Sequence, residues 1–491
     1  MDDVFTFGAV IGAGCAVLLL AVLSHRVSER LGFPTPAIFL VAAAVAGDVF
    51  PFLVPHSITS VQRIVTVALV VILFNGGMGI GWTRFRQHAG AIVWVGVAGT
   101  VVTAGALAAA AHWIFGFDGR TALLLATALS PTDPAVVFSV LGRREIAGPA
   151  GTLLEGESGA NDPVGIALMV ALISGGSASG GAAIGTAVAT FALQLGIGAV
   201  VGWLGGRLLL AAMRRLPLPS EGLYPIRVLG GAGLVYAVAT LAHGSGFLAV
   251  FVAGILLGDE RAPYKREVER FHAALASLGE IVAFIVLGLT VELRRLLDGN
   301  ALWIGLALAA LLAFAVRPVL VGLVLWPVRL SRRERVFVLW AGLKGAVPVL
   351  LGTYVLTSSA PRRTFAYDVV FVVVLFSVVV QGGLVPWVAA RLGLPVRTVE
   401  QEPWSVGMRL RDEPQGLHRW TVRRGAAADG RSLDDLTLGE GAWVSMVGRA
   451  GRLVPVRGST LLRAGDEVIV IVDPADAENV GQLFTQRLPA R

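Results

Sequence analysis

The chain has 491 residues, of which 55% are hydrophobic and 15% charged, whereas a soluble domain carries roughly 25% charged residues. That balance excludes an ordinary soluble protein and indicates one that crosses a membrane many times. The single cysteine, Cys15, excludes a disulfide framework or a cysteine-based metal cluster, and the net charge of +7 is accounted for by loop arginines without a nucleic-acid partner.

Apolar stretches of about 20 residues, enough to cross a hydrocarbon core of ~30 Å as helix, recur from Phe5 to Arg391. About thirteen spans are expected: 6 to 24, 34 to 54, 61 to 80, 90 to 113, 120 to 141, 152 to 174, 183 to 213, 226 to 243, 245 to 258, 272 to 292, 301 to 328, 335 to 357 and 367 to 390. The first lacks a small-residue cleavage signal and reads as a true span. Loops after odd-numbered spans carry Arg26 and Arg30, Arg84 and Arg86, Arg143 and Arg144, Arg214 and Arg215, Lys265 and Arg266, and Arg332, Arg333 and Arg335. Basic loops stay cytoplasmic, so the N-terminus is expected outside and everything after Arg391 in the cytoplasm. His25, His56, His88, His112 and His272 fall at expected span ends and read as interfacial residues, and Glu292, Arg294 and Arg295 read as a solvated outer loop.

Span 5, TALLLATALSPTDPAVVFSVL, has Pro131 and Pro134 bracketing Thr132 and Asp133 at its middle. Two prolines that close break or extend a helix. The next polar stretch, TLLEGESGANDPVG (152 to 165), invites a local reading, with Asp162 as N-cap and Pro163 at the first helical position. Length argues against it, because the apolar run after Pro163 is too short to span the bilayer. The helix therefore begins near Thr152 and carries Glu157, Ser158, Asn161 and Asp162 into the membrane. Ser158 and Asp162 share one face and Glu157 and Asn161 an adjacent one. One face offers oxygens to an ion while the other anchors the helix.

An ionised carboxylate at membrane depth costs at least ~2.5 to 3.5 kcal/mol on insertion scales and usually marks an ion or proton pathway. Spans 5 and 6 run in opposite directions, so Asp133 and Asp162 both fall near the midplane, where two carboxylates bound a site of cation size. Span 12, VFVLWAGLKGAVPVLLGTYVL, is also interrupted, by Gly342, Gly345 and Pro348, and lies seven spans after span 5 in the opposite direction. Paired broken helices in inverted repeats are a transporter pattern, and Lys344 supplies a charge for the opposing half-helix end.

Near Gln401 the apolar spans stop. WVSMVGR (443 to 449), GRLVPV (451 to 456) and DEVIVIVD (466 to 473) read as strands, and DGRSLDDLTLG (429 to 439) as a turn and short helix. A small cytoplasmic α/β domain over 405 to 491 is expected, after a membrane domain over 1 to 395.

SPTDPAVVFSVL, LLEGESGANDPVGIAL, GSGFLAVFVAGILLG and WAGLKGAVPVLLG together resemble the monovalent cation/proton antiporter family CPA1, in its NhaP-like branch, along the whole membrane part. The resemblance implies about thirteen helices with crossed broken helices, a six-helix core moving against a dimerisation domain, and a homodimer in a prokaryotic plasma membrane. It implies that Asp162 binds the proton or the cation, K+ or Na+, with Asp133, Thr132 and Ser158 as further ligands. Asn161 marks the branch expected to be electroneutral. Two departures stand out. Asn75, in LFNGGM, replaces a frequent acid, and Lys344 stands where arginine is usual, leaving Arg317 or Lys344 to pair with Glu157.

GRSLDDLTL, VSMVGRAGRLVPVRGST and LLRAGDEVIVIV resemble the TrkA-C domain of potassium-conductance regulators, which implies dimerisation and a small ligand such as a cyclic dinucleotide. The expected function is thus electroneutral exchange of K+ or Na+ for H+. Alternatives are a ligand-gated potassium channel, against which stands the lack of a filter signature such as TVGYG, and a purely regulatory membrane protein. No Ser-His-Asp order, zinc spacing or phosphate loop supports an enzyme, and no cofactor is called for.

Overall fold

In hydrocarbon a chain must satisfy its own backbone polar groups, so long apolar runs fold as helix. In the computed structural model residues 35 to 392 are helical with short interruptions. The structure describes residues 34–55, 57–133, 135–141, 144–146, 148–174, 181–260, 262–394, 396–398, 416–439, 441–449, 452–473 and 476–486, plus four isolated helical positions before these. The rest of the first expected span, with His25, Arg26, Arg30, His56, Pro134 and Arg143, lies outside the described residues. The chain divides into two compact units, Met1–Trp404 and Ser405–Arg491.

The first unit is an all-helical polytopic body. Its helices are α1 (Thr35–Val49), α2 (Ile58–Trp94), α3 (Thr100–Trp113), α4 (Gly119–Ala128), α5 (Ala135–Leu141), α6 (Pro149–Ser174), α7 (Gly181–Arg215), α8 (Leu223–Leu241), α9 (Gly246–Gly258), α10 (Lys265–Gly288), α11 (Ala301–Leu311), α12 (Arg332–Trp340), α13 (Ala346–Thr357), α14 (Arg363–Phe376) and α15 (Gly383–Leu392). Six helical stretches among the described residues are long and apolar enough to cross a membrane by themselves, and α1, α9 and α13 are shorter apolar helices. Strands β1 (Arg144–Ile146) and β2 (Val396–Thr398) pair antiparallel.

Glycine sets the closest helix contacts. α2 and α9 pack so tightly that a Cβ on Gly77 would collide with the Phe251 carbonyl, and one on Gly254 with the Phe74 carbonyl. One turn on, Gly81 has φ +69° and breaks α2 into two spans, and Asp259 accepts the Thr83 N–H at 2.5 Å. Small residues are the usual means of close approach in membranes, where lipid offers helices no hydrophobic drive to associate.

Three local expectations need correction. His272 is fully buried, not interfacial, because α10 starts at Lys265, two turns earlier than the apolar run; the ring lies against Phe74 and its Nδ1 is 2.8 Å from the Val268 carbonyl. Arg295 is not part of a solvated loop: it forks onto Asp368, itself 1% exposed, with both N–O distances 2.8 Å. In the tail, residues 429 to 439 form turns and a bridge from Ser432 to Leu461, with no helix.

The second unit has a four-stranded antiparallel sheet ordered β3-β6-β4-β5, from β3 (Leu417–Thr421), β4 (Ala442–Arg449), β5 (Arg452–Val454) and β6 (Glu467–Val472), followed by α16 (Ala477–Thr485). Val444, Val447, Val468, Val470, Val480 and Phe484 form its core, and Arg449 forks onto buried Asp466 at 2.7 and 2.8 Å.

Gly254→Ala is expected to destabilise by about 1–3 kcal/mol, the usual cost of overpacking. Gly76→Ala, with open space around its Cα, is the matched control. Thermal unfolding of the two purified variants distinguishes them, and equal melting curves would contradict this account of the α2–α9 contact.

Candidate functional site

Both interrupted spans break where the sequence places its prolines and glycines, between α4 and α5 and between α12 and α13. The two extended stretches cross, with the Asp133 N–H donating to the Leu343 carbonyl at 2.8 Å. A broken helix leaves four unpaired carbonyls at one half-end and four unpaired N–H groups at the other, each carrying about half an elementary charge. At this crossing the side chains of each stretch answer the ends of the other.

Lys344, 1% exposed, donates from Nζ to the carbonyls of Ser130 (3.0 Å) and Pro131 (2.8 Å), just past the C-terminal end of α4. Arg317, 2% exposed, donates to the Leu339 carbonyl (3.1 Å) and the Val338 carbonyl (3.3 Å) at the C-terminal end of α12. The Asp133 carboxylate lies against Gly345, the residue that opens α13, so tightly that a Cβ there would collide with it. Each cation thus sits at a negative half-end and an anion at a positive one. A Cβ on Gly342 would likewise strike the Arg317 guanidinium, so the glycines that interrupt the span also make room for the charges.

α6 runs past this crossing as one unbroken helix containing Pro163. It begins at Pro149, so 152 to 165 is helical throughout and Glu157, Ser158, Asn161 and Asp162 are all buried. Asn161 holds Thr132 twice, accepting its N–H at 3.2 Å and donating from Nδ2 to its Oγ1 at 2.6 Å. Ser158 donates to the Thr132 carbonyl at 2.6 Å. The polar residues therefore divide differently from the two-face expectation. Ser158 joins Asn161 in clamping the extended segment, so that Asp162 is left as the residue without a clamping role. Glu157 pairs with Arg317, Nη2 to Oε1 at 3.2 Å, rather than with Lys344.

Asp162 is 6% exposed and its Oδ1 is buried with no hydrogen-bond partner among the described residues. Asp133 and Lys344 are the charged groups within electrostatic reach of it. Asn75, half-buried on α2, stands on the helix that packs against α9 and α10. Sequence reasoning passed over Ser130 and Ser377. Ser377 Oγ accepts the Lys344 N–H at 2.9 Å and Ser130 holds the Thr127 carbonyl at 2.9 Å. Neither carries a charge to mark it within an apolar run.

The model of the transmembrane sodium/hydrogen exchanger family matches residues 16–391. The chain belongs to that family. The exchanger is an integral membrane cation/proton antiporter and not an enzyme. A TrkA-C domain matches residues 417–485. The protein called K(+)/H(+) antiporter NhaP from Alkalimonas amylolytica is 32% identical over 97% of this chain and 83% of its own. A protein called K(+)/H(+) antiporter NhaP2 from Shewanella sp. MR-4 is 31% identical over 99% of this chain and 84% of its own. The Na(+)/H(+) antiporter NhaH of Halobacillus aidingensis is 27% identical over 67% of this chain and 83% of its own. Among solved structures, the sodium proton antiporter MjNhaP1 from Methanocaldococcus jannaschii shares the fold, with a TM-score of 0.65 at 21% identity, covering 76% of this chain and 98% of that one.

Removing one partner of a buried ion pair typically costs about 3–5 kcal/mol, whereas replacing both is far milder. Arg317→Met is therefore expected to destabilise the exchanger strongly, and the double variant Arg317→Met, Glu157→Gln to recover much of that loss. Thermal unfolding measures both, and a double variant as unstable as the single one would count against the pairing.

Proposed function

We propose that the exchanger moves a monovalent cation against a proton through competition at Asp162. The observation that carries the reading is the buried Oδ1 of Asp162, which has no hydrogen-bond partner among the described residues and lies within electrostatic reach of Asp133. A buried carboxylate oxygen with no protein donor needs an occupant, and a proton or a dehydrated cation each meets that need. Each occupant neutralises Asp162, so the loaded site moves between the two membrane faces more readily than the empty one. Alternation with a single site then exchanges one for the other. Thr132 and Ser158, joined to each other by a hydrogen bond, are read as further oxygen ligands, with Asp133 as the second carboxylate.

The exchange is read as electroneutral. Asn161, beside Asp162, is neutral and committed to Thr132, so a single carboxylate on α6 carries either one proton or one cation. Potassium is favoured over sodium because the relatives that align over nearly the whole chain bear K(+)/H(+) antiporter names, while the sodium-named relative aligns over 67% of it.

The arginine-rich loops favour an outside N-terminus and a cytoplasmic tail in a prokaryotic plasma membrane. The membrane domain is assigned to 1 to 395 and the tail, a regulatory domain for a small ligand such as a cyclic dinucleotide, to 405 to 491, with the whole acting as a homodimer.

Asp162→Asn reconstituted in liposomes with an interior pH dye is expected to lose cation-driven proton movement for K+, Na+ and Li+ alike, with the wild-type protein showing the larger response to K+. Exchange that survives in Asp162→Asn would sink the assignment, and a larger wild-type response to Na+ would reverse the choice of cation.

A further inference from the structure

The connection between the two site-bearing spans is held by a strand from the far end of the membrane unit. α5 follows Asp133 and runs for about two turns, and β1 then leads towards α6. β1 lies hard against the first turn of α6, where a Cβ on Gly151 would strike the Ile146 carbonyl, and Ile146 is itself buried. β2 supplies the partner strand, with Arg144 opposite Thr398, Glu145 opposite Arg397 and Ile146 opposite Val396.

β2 is brought there by the way α15 ends. Gly393 takes φ +61°, its N–H donates to the Ala390 carbonyl at 3.1 Å, and that of Leu394 donates to the Ala389 carbonyl at 3.3 Å. This left-handed cap turns the chain out of the helix, and the buried Leu394 fixes its direction. α15 also packs against α5, so β1 and β2 extend from elements already in contact. A two-stranded sheet of three residue pairs is too short to persist alone. It depends on what holds β2 at its two ends: the cap of α15 on one side, and on the other the second compact unit, which begins at Ser405. A ladder this short, fastened from both ends, belongs to the least stable parts of a fold, which open and close locally.

We infer that the β1–β2 ladder is a strap through which the tail governs exchange. Closed, it ties the α5–α6 connection to the end of α15 and slows the change of access. Opened, it frees the site-bearing spans. The inference rests on the reading of the tail as a regulatory domain. The ladder stabilises the strapped arrangement alone, and each net backbone hydrogen bond is worth about two- to tenfold in an equilibrium. The effect falls on the maximal rate rather than on the affinity for cation, because α5 separates the strap from Asp133.

The test uses the full-length protein in proteoliposomes, with the maximal exchange rate and the K+ concentration for half-maximal exchange (KM) as readouts. Cys15→Ser removes the one native cysteine, and Glu145→Cys with Arg397→Cys places a pair across the ladder. Directly opposed residues of an antiparallel pair have Cα atoms about 4.5–5.5 Å apart, within the span of a disulfide. The disulfide is expected to form on mild oxidation and to lower the maximal rate about tenfold relative to the same protein after reduction, with KM unchanged. A flexible glycine-serine insertion after Thr398, which slackens the link to the tail, is expected to raise the maximal rate severalfold in the reduced protein and to leave the oxidised one slow. Equal rates before and after reduction of the crosslinked protein, or a pair that does not crosslink in the folded protein, would overturn the strap. So would an insertion that acts equally in both states. A crosslink that slows exchange while the insertion changes nothing would support the strap as a brake and overturn the regulatory reading of the tail.

Discussion

The structure depends on reciprocal charge compensation where two interrupted helices cross. Breaking a helix inside a membrane exposes carbonyls and N–H groups that neither lipid nor water can satisfy there. Lys344 and Arg317 cover the C-terminal ends of α4 and α12, and the Asp133 carboxylate meets the N-terminal end of α13. Glycines at 342 and 345 leave the space these groups occupy. With the crossing so neutralised, the extended segment around Thr132 stays ordered at a depth where irregular backbone is otherwise excluded.

The proposed function follows from what that compensation leaves over. α6 delivers four buried polar groups to the crossing, and three are consumed in holding it: Glu157 by Arg317, and Ser158 and Asn161 by Thr132. Asp162 has no such ion pair, and its Oδ1 is buried without a hydrogen bond among the described residues. The same helix thus builds the scaffold and presents the group proposed to take a mobile occupant. Because scaffold and site share one helix, changes in the clamp at Thr132 are coupled to the environment of Asp162, which is the kind of linkage alternating access requires.

Much of this was legible in the sequence because it rests on the length of the spans and on where helix-breaking residues fall. The bilayer's thickness forces 152 to 165 into the membrane, and proline and glycine mark where spans 5 and 12 break. Partner choice was not legible in the same way. The resemblance left Arg317 and Lys344 both open as partners of Glu157, and only the fold shows that Lys344 is held by the carbonyls of Ser130 and Pro131. The burial of His272 was missed because α10 extends the apolar run by two turns of charged helix, and the Arg295–Asp368 pair because its members lie 73 residues apart. The turns at 429 to 439 show local helix preference yielding to the bridge between Ser432 and Leu461.

The central claim is that proton and cation compete for one carboxylate, and the dependence of cation affinity on pH tests it most directly. Exchange rates are measured in proteoliposomes over a range of K+ concentrations, at several pH values with no pH difference imposed at the start. Competition predicts that KM for the cation rises about tenfold for each unit of acidification on the acid side of the profile, with the maximal rate at saturating cation unchanged. A KM that stays constant while the maximal rate falls would mean that the proton acts at a separate regulatory group, and would contradict the account.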